Sequence, residues 1–191
     1  QNFKKDLLNE ELTYIVTGKI DGTCCRINKG KLQKRRDIKK GRKIPLDWEE
    51  TSNKFGHKIG YMPLYKGDKW HIDCMDGEFI NVLRYKNNKT LIVKEKLSEL
   101  EGKSVELIGP KIQGNPHKVN KNCVYLHGSI ELEGFSNDFD RDELKEWFTN
   151  DEKCKYFEGI VVHFSNGNLY KLHRHHLDLK VENGYPCLME L

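Results

Sequence analysis

The chain has 191 residues, 37% of them hydrophobic, and its 33 Lys and Arg against 29 Asp and Glu give a formal net charge of +4. That length accommodates one well-cored domain without sign of a second, so residues 1–191 are read as a single domain. With a mean hydropathy of -0.75, no apolar run near the roughly 20 residues of a membrane span and no signal-peptide order in the first residues given, neither an integral membrane nor a secreted protein is expected, and an intracellular, cytoplasmic monomer is.

Residues 13–20 (TYIVTGKI) and 23–28 (TCCRIN) are rich in β-branched and apolar types, and Asn28-Lys29-Gly30 followed by KLQKRR reads as a hairpin. Lysine and arginine crowd residues 29–43, which is either a solvated loop or a surface for an anionic polymer, because phosphate contacts from such residues drive nucleic-acid binding. Residues 44–76 allow no firm placement. Strands are expected around 78–84 and 90–94, a helical turn at Leu97–Leu100, and further strands at 104–109 (SVELIG) and 123–132 (CVYLHGSIEL). Asp140 with Glu143 three residues on starts a helix with Leu144, Trp147 and Phe148 on its apolar face, ending near Asn150. EGIVVHF and NLYKLHRH flank Ser165-Asn166-Gly167, a strong hairpin signal. The fold class is α+β with antiparallel sheets. Cys24, Cys25, Cys74, Cys123, Cys154 and Cys187 show no CxxC pair or metal-finger spacing, which fits reduced, buried or idle thiols.

In Lys19-Ile20-Asp21-Gly22, lysine and aspartate alternate on a strand and so share a face, and glycine lets the chain turn. Taken alone, this also reads as an exposed Lys-Asp pair on an edge strand. Pairing across Asn166-Gly167 sets Phe164 opposite Leu169, Val162 opposite Lys171 and Glu158 opposite His175, so a carboxylate, a lysine and the imidazoles of His173 and His175 converge on one partly apolar face. Such groups are costly to bury unless paired or liganded. Glu106 interrupts an apolar strand, as an outward-facing residue or as part of a site.

These runs, KIDG, an arginine, VELIG, EGIVV and a lysine-bearing strand, resemble in order the motif series of the covalent nucleotidyltransferases, the DNA ligases, RNA ligases and capping guanylyltransferases. KIDGTCC, ELIGPKIQGNP, EGIVVHFSNG and KLHRHHL are similar to the small ATP-dependent 5′ to 3′ RNA ligases of vertebrates and related viruses, over roughly residues 13–180. The resemblance implies a nucleotidyltransferase domain, ATP-grasp-like, with antiparallel sheets flanked by helices. It makes Lys19 the nucleophile that takes AMP, with Asp21 and Gly22 completing its motif. It sets Glu106 near ribose and metal, Glu158 on the metal side and Lys171 at the α-phosphate, and it implies ATP, Mg²⁺ or Mn²⁺, and RNA with 5′-phosphate and 3′-hydroxyl ends. Two positions depart from it: Cys24 stands where DNA ligases usually carry arginine, and His173 where many relatives carry a second lysine.

For the intervening arginine, a three-residue Asn28-Lys29-Gly30 loop opposes Thr23 to Arg35, whereas a two-residue Lys29-Gly30 loop selects Arg36. Lys-Gly is a poor primed turn, so Arg35 is preferred, as a ribose or 5′-phosphate contact. Tyr125 and His127 are candidates to stack on adenine, with buried packing as the alternative. His173, Arg174, His175 and His176, with His163 across the hairpin, invite a zinc reading, but their spacing fits strand alternation and phosphate contact better. The rival functions are a capping guanylyltransferase, a DNA ligase and a catalytically silent RNA-binding module.

Overall fold

The computed structural model describes residues 2–54, 57–134, 139–181 and 183–191. In chain order the elements are α1 (Asn2–Leu7), β1 (Tyr14–Lys19), β2 (Thr23–Asn28), β3 (Lys31–Ile38), β4 (Glu49–Lys54), β5 (His57–Pro63), α2 (Lys69–Asp73), β6 (Met75–Asp76), β7 (Phe79–Lys86), β8 (Lys89–Lys96), β9 (Ser104–Ile108), β10 (Cys123–Leu126), α3 (Arg141–Asn150), β11 (Gly159–Phe164) and β12 (Leu169–His173). A 3-10 turn follows β8 at Leu97–Leu100 and another follows β12 at Arg174–Leu177. Among the described residues no helix is long and apolar enough to cross a membrane.

The strands form two sheets. One has three strands in the order β1-β11-β12; the other has nine, in the order β4-β5-β3-β2-β9-β10-β7-β6 with β8 also on β7. The structure is thus mostly β with few helices, and α+β describes it loosely. The expectation of purely antiparallel sheets is corrected at one place, because β10 runs parallel to β7. The strand expected over 123–132 stops at Leu126, and only an isolated bridge from Glu131 to Thr17 continues the pairing. The unplaced 44–76 region contributes β4, β5, α2 and β6.

Every residue of β10 is buried, because both faces of the large sheet are covered. Val124 and Leu126 join Ile27, Ile80, Val82, Val105 and Leu107 on one face. Cys123 and Tyr125 join Leu83, Ile108, Ile130, Phe148, Phe157, Ile160 and Val162 on the other, which reaches the small sheet and α3. Asp140 caps α3 as expected, accepting from the Asp142 and Glu143 amides, and Leu144 and Phe148 are its buried face.

Both hairpins differ from expectation in loop length. Between β2 and β3 the loop is the two-residue Lys29-Gly30, with both residues left-handed at φ 53° and 64°. A Lys-Gly primed turn is weak by itself, but the Glu101 carboxylate accepts from both loop amides, at 2.7 and 2.9 Å, and holds it. Between β11 and β12 the loop is instead the three-residue Ser165-Asn166-Gly167, closed by the Phe164 amide on the Asn168 carbonyl at 2.9 Å, with Gly167 at φ 85°. Asp6 of α1 selects this form by accepting from Asn168 Nδ2 and the Tyr170 hydroxyl, at 2.8 and 2.6 Å. The register therefore slips by one, and Val161, not Val162, faces Lys171. A slip of one exchanges the faces of the strand.

Candidate functional site

The corrected register sorts the small sheet cleanly. Ile160, Val162 and Phe164 are buried in the core with Tyr170 and Leu172 packed among them. The opposite face carries Lys19, Gly159 and His173 in one row and Thr17, Val161 and Lys171 in the next. His175 does not join them, because β12 ends at His173 and the chain enters the 3-10 turn, which leaves through Asp178 in the left-handed region.

Across the large sheet a second row forms. Tyr61 pairs with Arg35, Cys24 with Glu106, and Glu106 with Tyr125, on β5, β3, β2, β9 and β10. Between the two rows lies a cleft of about 250 Å³, lined by Lys19, Arg35, Glu106, His127 and Lys171 among others. Five sequence-selected residues thus meet in one cavity. Arg35 is the residue expected, but its register partner is not Thr23: with Cys25 opposite Lys34, one step on sets Arg35 beside Cys24. The chain bends between Lys19 and Thr23, which brings Cys24 rather than Thr23 to the cleft.

Lys19, at the end of β1, donates to Glu158 Oε2, and Glu158 Oε1 is 2.8 Å from His173 Nδ1. Burial works against the charge of Glu158, but the Lys19 ammonium and His173 outweigh it and hold its carboxyl below the ordinary value. His173, the departure from the motif series, thereby positions Glu158; burial lowers its own pKa. Gly159 makes the row possible. A Cβ there would sit 2.1 Å from the Leu172 carbonyl and 2.9 Å from His173 Cα. Gly159→Ala should therefore cost about 1–3 kcal/mol or more, read as a fall in denaturation midpoint, and should part Glu158 from His173; an unchanged midpoint would show that β12 yields freely.

Asp21 and Gly22 are not among the residues that line the cleft; they lie beyond the end of β1, and not in strand alternation with Lys19. The Asp21 amide donates to His117 Nε2 at 2.9 Å. Burial first, then the charge of Glu158, raises the Asp21 pKa. Gly22 lets the chain lie against β9: a Cβ would meet the Leu107 carbonyl at 2.4 Å and Glu106 Cγ at 3.0 Å. His117 is buried and stacked on Tyr185 at 4.7 Å, and burial depresses its pKa to about 4, so it stays neutral and can accept. Sequence reasoning missed it, since it lies in a loop without periodicity. Tyr61 was missed with the unplaced segment.

On the other wall, His127 Nε2 is 2.8 Å from Glu106 Oε2 and its Nδ1 is 2.8 Å from Ser104 Oγ. Tyr125 is fully buried and donates to the Gly18 carbonyl at 3.2 Å, so of the two aromatic candidates only His127 offers an accessible ring. His163 bonds Thr17 Oγ1 at 2.8 Å, and the rings of His173, His175 and His176 contact one another. Among the described residues the histidine run forms no cluster with metal-ligand spacing. The basic segment is partly neutralised, with Lys34 on Asp68 at 2.6 Å and Arg35 forked onto Asp37 at 2.8 and 2.9 Å.

Fold and cleft together define a protein of two sheets that hold lysine, arginine, histidine and carboxylate groups around one cavity. The chain belongs to the RNA ligase 1 family, whose model matches residues 36–190. That span begins just beyond Arg35 and contains Glu106, His127, Glu158, Lys171 and His173. The chain is 34% identical over 139 residues to "RNA ligase 1" of Pongo abelii, covering 65% of this chain and 42% of that protein. Against "RNA ligase 1" of Mus musculus it is 34% identical over 139 residues, covering 65% and 41%. Against that of Danio rerio it is 30% identical over 138 residues, covering 65% and 42%. The chain spans about two fifths of the length of these relatives.

Proposed function

We propose that this chain is the nucleotidyltransferase part of an ATP-dependent RNA ligase, in which Lys19 carries AMP and passes it to an RNA 5′-phosphate before a 3′-hydroxyl displaces it. The observation that carries the reading is the convergence of Lys19, Arg35, Glu106, His127 and Lys171 on one cleft, with Glu158 bound to Lys19 at its end. Family membership supports RNA as the substrate class.

The chemistry follows from residue types. An ordinary lysine, with a pKa of about 10.4, is protonated near neutrality, so attack on phosphorus requires nearby positive charge that favours the neutral amine. Lys171, in the next row of the same sheet face, supplies a fixed charge beside Lys19 and stabilises charge that develops on the α-phosphate. The lysine nitrogen bonds to that phosphorus as the bond to pyrophosphate breaks, and the amine proton leaves to solvent. In this reading Arg35 contacts the ribose or a 5′-phosphate, Glu106 the ribose, and His127 the base.

Mg²⁺ fits in a limited way. Glu158 and Glu106 have different partners, and together with Asp21 they do not bring their oxygens within 4.8 Å of one another. Such an arrangement suits a cation held mainly by phosphates with one carboxylate, the usual habit of Mg²⁺, and not an all-protein cage. When bound with ATP it would neutralise the triphosphate.

Substrate class is tested by sealing. Joining of 5′-phosphate to 3′-hydroxyl ends should favour all-RNA strands over DNA, with the largest drop when the nucleotide bearing the 3′-hydroxyl becomes deoxyribose, since the 2′-hydroxyl distinguishes the sugars. Salt should weaken both substrates alike, because phosphate contacts carry no sugar identity. Equal rates on RNA and nicked DNA would refute the RNA assignment and leave the lysine-adenylate step standing.

A further inference from the structure

Cys24, the position at which the chain departs from the DNA-ligase pattern, is a free, partly buried thiol. Its Sγ, a Glu106 oxygen and a His127 ring nitrogen lie within 4.8 Å of one another, the single such set of three metal-ligating side chains among the described residues. Two rest on paired strands and the third on the turn after the next: Cys24 is the cross-strand partner of Glu106, which is paired on its other side with Tyr125, and His127 follows the end of that strand at Leu126. The sheet therefore fixes their spacing.

The surroundings of His127 point the same way. A metal-ligating histidine needs an outer partner for its second nitrogen, and Ser104 Oγ lies 2.8 Å from Nδ1. The hydroxyl donates when Nε2 carries the proton toward Glu106, and it can turn to accept when Nδ1 carries the proton. The second state leaves the Nε2 lone pair facing a carboxylate and a thiol, an arrangement that a cation between them stabilises. A thiolate, an imidazole and a carboxylate form a donor set for Zn²⁺, whereas Mg²⁺ prefers oxygen alone. Of the six cysteines Cys24 and Cys187 alone are partly exposed; Cys25, Cys74, Cys123 and Cys154 are buried.

We infer that Cys24, Glu106 and His127 form a three-ligand Zn²⁺ site in the wall of the cleft, with the fourth position open toward the cavity. Binding releases the thiol proton of Cys24 to solvent and shifts the single proton of neutral His127 from Nε2 to Nδ1, where Ser104 accepts it, and no electrons are transferred. Resting on the nucleotide reading above, Zn²⁺ here occupies Glu106 and His127 and excludes ATP, so the site is inhibitory.

The test uses Co²⁺ as a spectroscopic stand-in, titrated into the nucleotide-free chain in a thiol-free reductant. One equivalent should give sulfur-to-cobalt charge-transfer absorption and the strong visible bands of a tetrahedral site, and Zn²⁺ should displace it. Cys24→Ser should abolish the charge-transfer band, His127→Gln should weaken binding, and Ser104→Ala should weaken it about 10- to 100-fold. Cys187→Ser should leave the titration unchanged. Absence of the band, its survival in Cys24→Ser, or unaltered affinity in His127→Gln would overturn the site. In a second arm, Zn²⁺ should suppress AMP labelling of the wild type but not of Cys24→Ser, each measured against its own chelator-treated rate. Equal suppression of both would overturn the inhibitory role. Failure of the chelator-treated wild type to label with AMP and Mg²⁺ would count against the ligase reading and leave the cobalt result intact.

Discussion

Lys19→Arg should form no AMP adduct at all when incubated with radiolabelled ATP and Mg²⁺, and Lys19→Ala should behave identically. Arginine preserves the positive charge and can still face Glu158, the carboxylate that Lys19 contacts. It stays protonated throughout the accessible pH range, however, and so presents no lone pair to phosphorus. The pair of variants separates charge from nucleophilicity: a residue that only steered phosphate would keep much of its function as arginine. Labelling of Lys19→Arg at any rate near that of the wild type would move the nucleophile elsewhere in the cleft, with Lys171 as the next candidate.

Glu158→Ala should lower adenylation by roughly 100-fold or more, the scale of losing one preorganised charged group, while shifting the melting temperature only slightly. The stability part follows from exposure. The Lys19 and Glu158 side chains are 19% and 21% exposed, so water screens the cation left behind and the cost should stay near 1 kcal/mol, or about 2–4 °C for a chain of this size. The pH dependence has a definite sign. The carboxyl is held below its ordinary value in the fold, so its contribution to stability is present above the unfolded pKa and is lost as pH falls through the lower folded one. Glu158→Gln should lack that acid-side loss while still meeting Lys19 and His173 through an amide. Collapse of the fold in Glu158→Ala, or adenylation at the wild-type rate, would remove Glu158 from the chemistry.

What the sequence revealed and what it hid divide along physical lines. Strand content around Lys19, Glu106 and Glu158, the α3 cap at Asp140 and the 3-10 turn at Leu97 were legible because they depend on local pattern. Registers were not, because each hairpin loop is selected by a distant carboxylate. Glu101 stabilises the two-residue Lys29-Gly30 turn from 71 and 72 residues away, and Asp6 draws Asn168 and Tyr170 into a three-residue loop from more than 160 away. The sequence points to Arg35 through the wrong loop and the wrong partner, and the residue lines the cleft because the bend after Lys19 offsets the register error. Lys171 and His173 were expected to share a face with Ile160 and Val162, and the slipped register separates them. His117 left no periodic signal, since it is held by the Asp21 amide and the Tyr185 ring and not by an element of its own.

The most direct measurement is the intact mass of the purified chain after incubation with ATP and Mg²⁺, with GTP in parallel, followed by peptide mapping of any adduct. The account predicts a gain equal to one AMP with ATP alone, on the peptide containing Lys19. No gain, a gain with GTP instead, or AMP mapped to another residue would contradict it.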